Sequence, residues 1–333
     1  MASASEWLLV WRRFRRDRIA VAALIVVCGI LLACFVAEPL LELLLGHDGS
    51  QPISAAVDIN LRPVGPFSFA SYTSPDGASH RAFLLLGGDG PLGRDELLRL
   101  LSGGRVSLEI ALVATSLALV LGIALGALAG YFGGFADAVV SRLTELLMSF
   151  PLLLLMIALG QTAAARFQSV TLRGLFPPGV LGIGLVIGIF CWFYPARLVR
   201  ALVKALKEQE FVEAARMVGA PDLRIIRQHL APHLAGPLIV WGTLVASGVI
   251  VLEASLSVLN FGVRLGTASW GNMLASNWGT LLVFNPGAAE AGVQYPKPPL
   301  LMLWPALALF LTVLAFALIG DGLRSALDPK ERI

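Results

Sequence analysis

The residues in this sequence whose types could do chemistry are few, and their spacing limits what that chemistry can be. His229 and His233 stand four apart, but Pro232 interrupts them and no carboxylate completes an H-E-x-x-H metal site. Cys28, Cys34 and Cys191 all lie inside apolar runs. An odd set with no metal-ligand spacing is no disulfide framework, so the three read as small apolar fillers. No G-x-x-x-x-G-K-S/T occurs and none of the four lysines follows a glycine, so the chain lacks that phosphate-cradling loop. Glu253 is a lone carboxylate in or near an apolar run. It is either a structural hydrogen-bonding group or the mark of a translocation path. What remains is one polar cluster, Phe211 to Pro232, reading FVEAARMVGAPDLRIIRQHLAP. Its residue types suit contact with another macromolecule better than bond making.

The elements that must hold that cluster are apolar. Hydrophobic residues make up 57% of the 333, charged residues 14%, and the mean hydropathy is +0.79. Soluble domains carry about 25% charged residues. Six runs are long enough to span a bilayer: Ile19–Ala37, Ile110–Ala136, Leu146–Ala165, Gly174–Ala196, Leu234–Leu252 and Pro298–Gly320. A span needs about 20 apolar residues. The runs lack the alternation of a membrane barrel, so the expectation is an all-α polytopic membrane protein with six transmembrane helices. A net charge of +3 gives no reason to invoke nucleic acid.

The basic residues are placed for topology. With the N-terminus inside, sixteen Lys and Arg fall in cytoplasmic segments and four in the two short external loops, Arg166, Arg173, Arg264 and Lys297. This asymmetry puts both termini and the 197–233 segment in the cytoplasm. The basic N-terminus resembles a signal peptide, but its apolar run of 19 residues exceeds the usual h-region, so it reads as an uncleaved first span.

The organisation that follows is a cytoplasmic basic tail at 1–18, a first transmembrane helix at 19–37 and an external loop at 38–105. A core at 106–320 holds five spans, and a cytoplasmic tail covers 321–333. The external loop could hold a small hairpin. Asp95 is placed to start a short helix lying along the outer interface before the second span. Gly122, Gly126, Gly130 and Gly134 repeat every four residues, which favours close static packing over a sliding or pore-lining face. Pro151 should kink or begin the third helix. Trp270 and Trp278 suit an outer interface helix. Gly320 and Gly322 are expected to stop the last helix.

Within the polar cluster, a helix over 208–219 puts Phe211, Ala214, Ala215 and Val218 on one small-residue face. Glu213 and Arg216 lie elsewhere on it and can pair weakly. Gly219 suits the C′ position, where φ is often positive. Pro221 ends the first helix and Asp222 can N-cap a second, whose stripe is Leu223, Ile226 and Leu230. Pro232 should then break the chain. So short a helix is marginal alone and needs a partner surface.

At this point the sequence resembles a known family. Glu213-Ala214-Ala215, then Gly219, then Pro232 thirteen residues later, is similar to the EAA loop of ABC-importer membrane subunits. It departs in having His229 and Ala231 where that loop has Ile and Leu. GALAGYFGGFAD, EASLSVLNFGV, SWGNML and FLTVLAFALIGDGLRSALDP resemble the dipeptide, oligopeptide and nickel permeases, most of all the second permease of each pair. The likeness runs from about Leu92 to Pro329.

The resemblance implies a type I importer fold of six spans and a non-catalytic subunit in a prokaryotic plasma membrane. It also implies a homologous second permease, two P-loop ATPases that bind ATP-Mg, and an extracytoplasmic binding protein. The substrate it implies is a di- or oligopeptide, with nickel chelates or other small solutes as alternatives. The coupling contact it implies comprises Glu213, Ala214, Ala215, Arg216, Gly219, Ala220, Pro221 and Asp222, within 208–222, and no cofactor is expected in this chain itself. An ATP-independent transporter or channel is the rival of another class. An intramembrane enzyme is a further one, but it would need a nucleophile–base pair or metal cluster facing a cavity. The four histidines all lie outside the spans.

Overall fold

The computed structural model describes residues 4–57, 63–73, 79–158, 176–264, 266–282 and 300–327. The helices are α1 (Ala4–Phe14), α2 (Arg18–Leu32), α3 (Glu38–Leu45), α4 (Glu96–Phe132), α5 (Gly134–Met148), α6 (Leu152–Ala158), α7 (Val180–Cys191), α8 (Phe193–Leu206), α9 (Glu210–Met217), α10 (Asp222–Arg224), α11 (Ala231–Val258), α12 (Trp270–Leu282) and α13 (Leu303–Leu327). Among the described residues, four helical stretches are long and apolar enough to cross a membrane: Arg18–Leu45, Glu96–Phe132, Asp222–Val258 and Leu303–Leu327. Two bent pairs, α5 with α6 and α7 with α8, bring the number up to six where each pair forms one span. The protein is an all-α polytopic membrane protein with a small β-hairpin insert.

Proline explains where these helices bend. α5 and α6 meet at 88°, and Pro151 stands in the break; the ring disfavours a helical conformation at Phe150 before it. α7 and α8 meet at 42°, where Pro195 offers no N–H to the carbonyl of Cys191. Two other prolines are absorbed without a break. A π-turn over Ala33–Ala37 lies just before Pro39, and another over Ile225–Leu230 just before Pro232. The wider turn takes up the missing hydrogen bond. The break expected at Pro232 is therefore absent, and the helix continues from Asp222 to Val258.

The chain forms two compact units. One comprises Met1–Val27, Ile110–Val249 and Val313–Ile333. Its organising contact is between α4 and α8. A Cβ on Gly122 would stand 2.6 Å from Pro195 Cγ, on Gly126 2.5 Å from the Ala196 carbonyl oxygen, and on Gly130 2.8 Å from the Arg200 carbonyl oxygen. Three of the four spaced glycines thus serve static packing. Gly134 does not share that face; with φ +51° it opens α5. The last helix also runs through Gly320 and Gly322 to Leu327. These glycines are sites of close approach, Gly320 to Thr243 and Gly322 to Ala20, and not the helix stop expected from sequence.

The other unit comprises Cys28–Glu109 and Ile250–Thr312. Strands β1 (Ser68–Thr73) and β2 (Ser79–Leu84) form an antiparallel hairpin with Ser68 opposite Leu84 and Thr73 opposite Ser79. Ala70, Tyr72, Ala82 and Leu84 face inward onto Ile53 and Ala56. Asp95 Oδ1 accepts the N–H groups of Leu97 and Leu98 at 2.9 and 3.2 Å, which is the expected cap. Its Oδ2 stands 3.1 Å from His47 Nε2 and raises the pKa of that imidazole. The separate interface helix does not exist: Glu96–Phe132 is one helix. Trp270 is buried rather than interfacial, over Gly104, and its Nε1–H donates to the Leu100 carbonyl at 3.0 Å. The side chain of Trp278 lies outside the described residues.

If the α4–α8 contact is what the glycines are for, Gly126→Val should overpack it and cost about 1–3 kcal/mol. Gly248→Ala, with nothing within 4 Å of its new Cβ, should be neutral or slightly stabilising. Thermal denaturation of the detergent-solubilised protein separates the two.

Candidate functional site

The polar cluster folds as an elbow in the first unit. α9 starts after Gln209, whose backbone is extended, and ends in a left-handed turn. Gly219 has φ +82°. Its N–H bonds the Arg216 carbonyl at 2.9 Å, and the Ala220 N–H bonds the Ala215 carbonyl at 3.0 Å. These two bonds make a Schellman cap, which satisfies the carbonyls left open at a helix end. A β-carbon is strained at that φ, so the glycine is required by backbone conformation; the space around it is open.

The elbow is anchored from behind. Val212, Ile225, Leu230 and Leu234 are buried in a cluster with Ala127 and Tyr131 of α4 and Val199 and Val203 of α8. Ala215 and Ala220 pack against it. The Tyr131 hydroxyl donates to Asp222 Oδ1 at 2.6 Å, and the Arg216 guanidinium lies over the Tyr131 ring at 5.5 Å. One aromatic residue at the end of α4 thus engages both limbs of the elbow. Beside it, Asp137 of α5 accepts bonds from Arg200 and from Lys204 (2.7 Å) of α8, which ties α5 to the helix that leads into the elbow.

Several expectations change. Asp222 makes no cap bond; it is the first residue of α10, after the extended Pro221, and its carboxylate is turned to Tyr131. Arg216 is turned to the same ring, and no Glu213–Arg216 pair occurs among the described residues. The inward positions are Val212 and Ala215. Phe211, Ala214 and Val218 face outward, and of the expected second stripe Leu230 is buried, Ile226 half-buried and Leu223 exposed. The reason is the turn at Gly219, which rotates the second limb so that Ile225 takes the inward place. The outer face therefore ends in a bare apolar tip: Met217 is 84% exposed, Val218 89% and Leu223 75%. Glu213 stands exposed beside it.

Glu253 belongs to the other unit. It is fully buried and accepts hydrogen bonds from Ser257 Oγ at 2.8 Å and Ser107 Oγ at 3.1 Å. Ser107 Oγ in turn accepts the Trp270 N–H at 3.3 Å. The carboxylate thereby links α11, α4 and the start of α12. The sequence reading missed Tyr131 and the Asp137 clamp. Each left a signal: a tyrosine closing an apolar span, and a lone acid facing a segment that holds seven bases.

Residues 122–333 match the family of binding-protein-dependent transport system inner membrane components, and residues 5–59 match the N-terminal transmembrane domain of oligopeptide transport permease C. The chain belongs to the first of these families, and its fold is that of a transport permease. Among curated relatives, the oligopeptide transport system permease protein OppC of Haemophilus influenzae is 34% identical over 98% of this chain and 90% of its own length. The glutathione transport system permease proteins GsiD of Pectobacterium atrosepticum and Escherichia coli O157:H7 are 32% and 34% identical over 98% of this chain, and over 92% and 91% of their own lengths.

Removing the hydroxyl that holds Asp222 tests the anchor. Tyr131→Phe should cost about 0.5–1.5 kcal/mol locally. Amide hydrogen exchange over 210–224 should then speed up by about threefold to tenfold, with exchange in the middle of α11 unchanged.

Proposed function

We propose that this chain is the second permease of a heterodimeric, ATP-driven importer of di- and oligopeptides, and that its elbow is where the motor takes hold. The observation that carries this reading is the Schellman-capped turn at Gly219 presenting Met217, Val218 and Leu223 outward. An exposed apolar tip on a rigidly anchored base suits insertion into a groove of another protein. The contact set is Glu213, Ala214, Ala215, Arg216, Gly219, Ala220, Pro221 and Asp222. Of these, Gly219 shapes the turn and Arg216 and Asp222 brace it on Tyr131. Glu213 and Ala214 lie on the outward side.

The partner in that groove is an ATPase subunit, one of two that bind ATP-Mg. The sequence supports this, since it lacks the G-x-x-x-x-G-K-S/T loop and needs its energy from outside. Peptide as the solute is supported by the names of the relatives, which carry oligopeptides and glutathione, itself a tripeptide. An extracytoplasmic binding protein and a second permease complete the machine. The distribution of Lys and Arg supports an elbow and termini on the cytoplasmic face of the membrane, with the hairpin outside. Closure of the ATPases moves the elbow as a lever, and the spans behind it change access by rigid-body rotation.

Replacing Gly219 by valine strains the turn by about 1–3 kcal/mol. Gly219→Val should leave membrane insertion intact and abolish the stimulation of ATP hydrolysis by loaded binding protein. Cysteines at Ser71 and Leu223 should label from opposite sides of the membrane. Unaltered stimulation, or labelling from one side, contradicts the reading.

A further inference from the structure

α1 and α2 are separate helices. α1 ends at Phe14, and Asp17 Oδ1 caps α2 afresh by accepting the N–H groups of Ile19 and Ala20 at 2.9 and 3.2 Å. One side of α1 is seated on the protein. Phe14 is buried in a cluster with Ala20 and Ala23 of α2 and Ala315, Ile319 and Ala326 of α13, and Val10 packs against it. Arg13 Nη1 donates to the Ala326 carbonyl at 3.5 Å. The outward side is of mixed character. Leu8, Leu9 and Trp11 are exposed, and so are Arg12, Arg15, Arg16 and Arg18. Among the described residues none of these four arginines has a carboxylate at ion-pair distance.

The place of α1 is fixed by Phe14. A Cβ on Gly322 of α13 would meet Phe14 Cε2 at 3.4 Å and would also meet Ala20. The Phe14 ring thus lies beside the first turn of the apolar stretch Arg18–Leu45, where a spanning helix meets water. α1 is about 16 Å long, too short to span on its own. Its outward residues are ordered. Leu8, Trp11 and Arg15 follow one another at helical spacing, and Arg12 and Arg16 run beside them. An indole suits the boundary between water and lipid. An arginine next to it lays its apolar stem on the acyl chains and keeps its guanidinium at headgroup level.

We infer that α1 lies along the membrane surface and binds anionic phospholipid, with Leu8 and Trp11 among the acyl chains and Arg12, Arg15 and Arg16 on headgroup phosphates. Charge complementarity favours lipid over a groove of another protein. A groove would have to match three guanidinium groups one by one, whereas an anionic leaflet supplies phosphates wherever they point. The contact also reaches past α1. Phe14 and Arg13 hold the last turns of α13, so the same lipid anchors the cytoplasmic ends of α2 and α13 together. None of this depends on the solute that the permease carries.

The test uses the assembled complex in vesicles that carry equal mole fractions of brominated phosphatidylglycerol or brominated phosphatidylcholine as quencher. A fluorophore on Leu8→Cys, in a Cys28→Ser background, should be quenched about threefold more strongly by the anionic lipid. One on Leu314→Cys, exposed near the middle of α13, should be quenched equally by both. Replacing Arg12, Arg15 and Arg16 by glutamine should bring the Leu8 ratio to about one, and lysine at all three should keep it. No preference at Leu8, the same preference at Leu314, or a ratio unmoved by the glutamines overturns the inference. Quenching of Leu8 by aqueous iodide and by neither lipid overturns it too, since α1 then lies in water. So does shielding from iodide and lipid alike, which assigns the face to a protein partner. Both leaflets carry the same lipid, so the outcome holds on either side of the membrane. An error in topology shows separately, in the labelling of Ser71 and Leu223.

Discussion

The approach of α8 to the glycine face of α4 at backbone distance is the constraint on which the functional end of this protein depends. Only residues without a β-carbon let Pro195, Ala196 and Arg200 come so near, and only that nearness brings Val199 and Val203 against Ala127 and Tyr131. The cluster so formed is the floor on which the elbow stands. Val212 and Ile225 enter it from the two limbs, and Tyr131 reaches past it to Asp222 and Arg216. A short helix such as α9, eight residues long, has little stability of its own. Its rigidity is borrowed from this packing, and the lever role proposed for it requires a rigid base.

Proline and glycine divide the remaining work. Where a span must bend, Pro151 and Pro195 stand without compensation and the helix breaks. Where it must run on, a π-turn precedes Pro39 and Pro232 and the helix survives. Glycine acts in two distinct ways. At Gly122, Gly126 and Gly130 it is an absence of bulk; at Gly219 and Gly134 it is a freedom of φ.

Much of this was legible in the sequence. Apolar runs of span length gave the fold class, because lipid accepts only satisfied backbone and that requirement is visible in composition. Gly219 announced the turn, since few other residues tolerate its conformation, and Asp95 announced its cap. The failures come where something other than local propensity decides the backbone. Pro232, Gly320 and Gly322 looked like helix ends because local propensity makes them so; a π-turn absorbs the proline, and close packing against Thr243 and Ala20 carries the helix through the two glycines. The faces of the elbow came out rotated for a related reason. Val212 rather than Val218 turned inward because the cluster offered by α4 and α8 chose the inward face, and helical periodicity alone cannot see a surface supplied from 80 residues away. Asp222 was read as a cap because Asp often is one; its partner Tyr131 lies 91 positions earlier.

The proposed coupling puts the apolar tip of the elbow inside a groove of the ATPase. Cysteine cross-linking in the assembled complex measures it directly, with a short bifunctional thiol reagent and single cysteines at Val218 and, as control, Ser71. Val218→Cys should give a covalent adduct with an ATPase subunit whose yield changes when ATP binds, and Ser71→Cys should give none. A tip that stays free for modification by bulky maleimides in the intact complex, with no adduct in any nucleotide state, would contradict it.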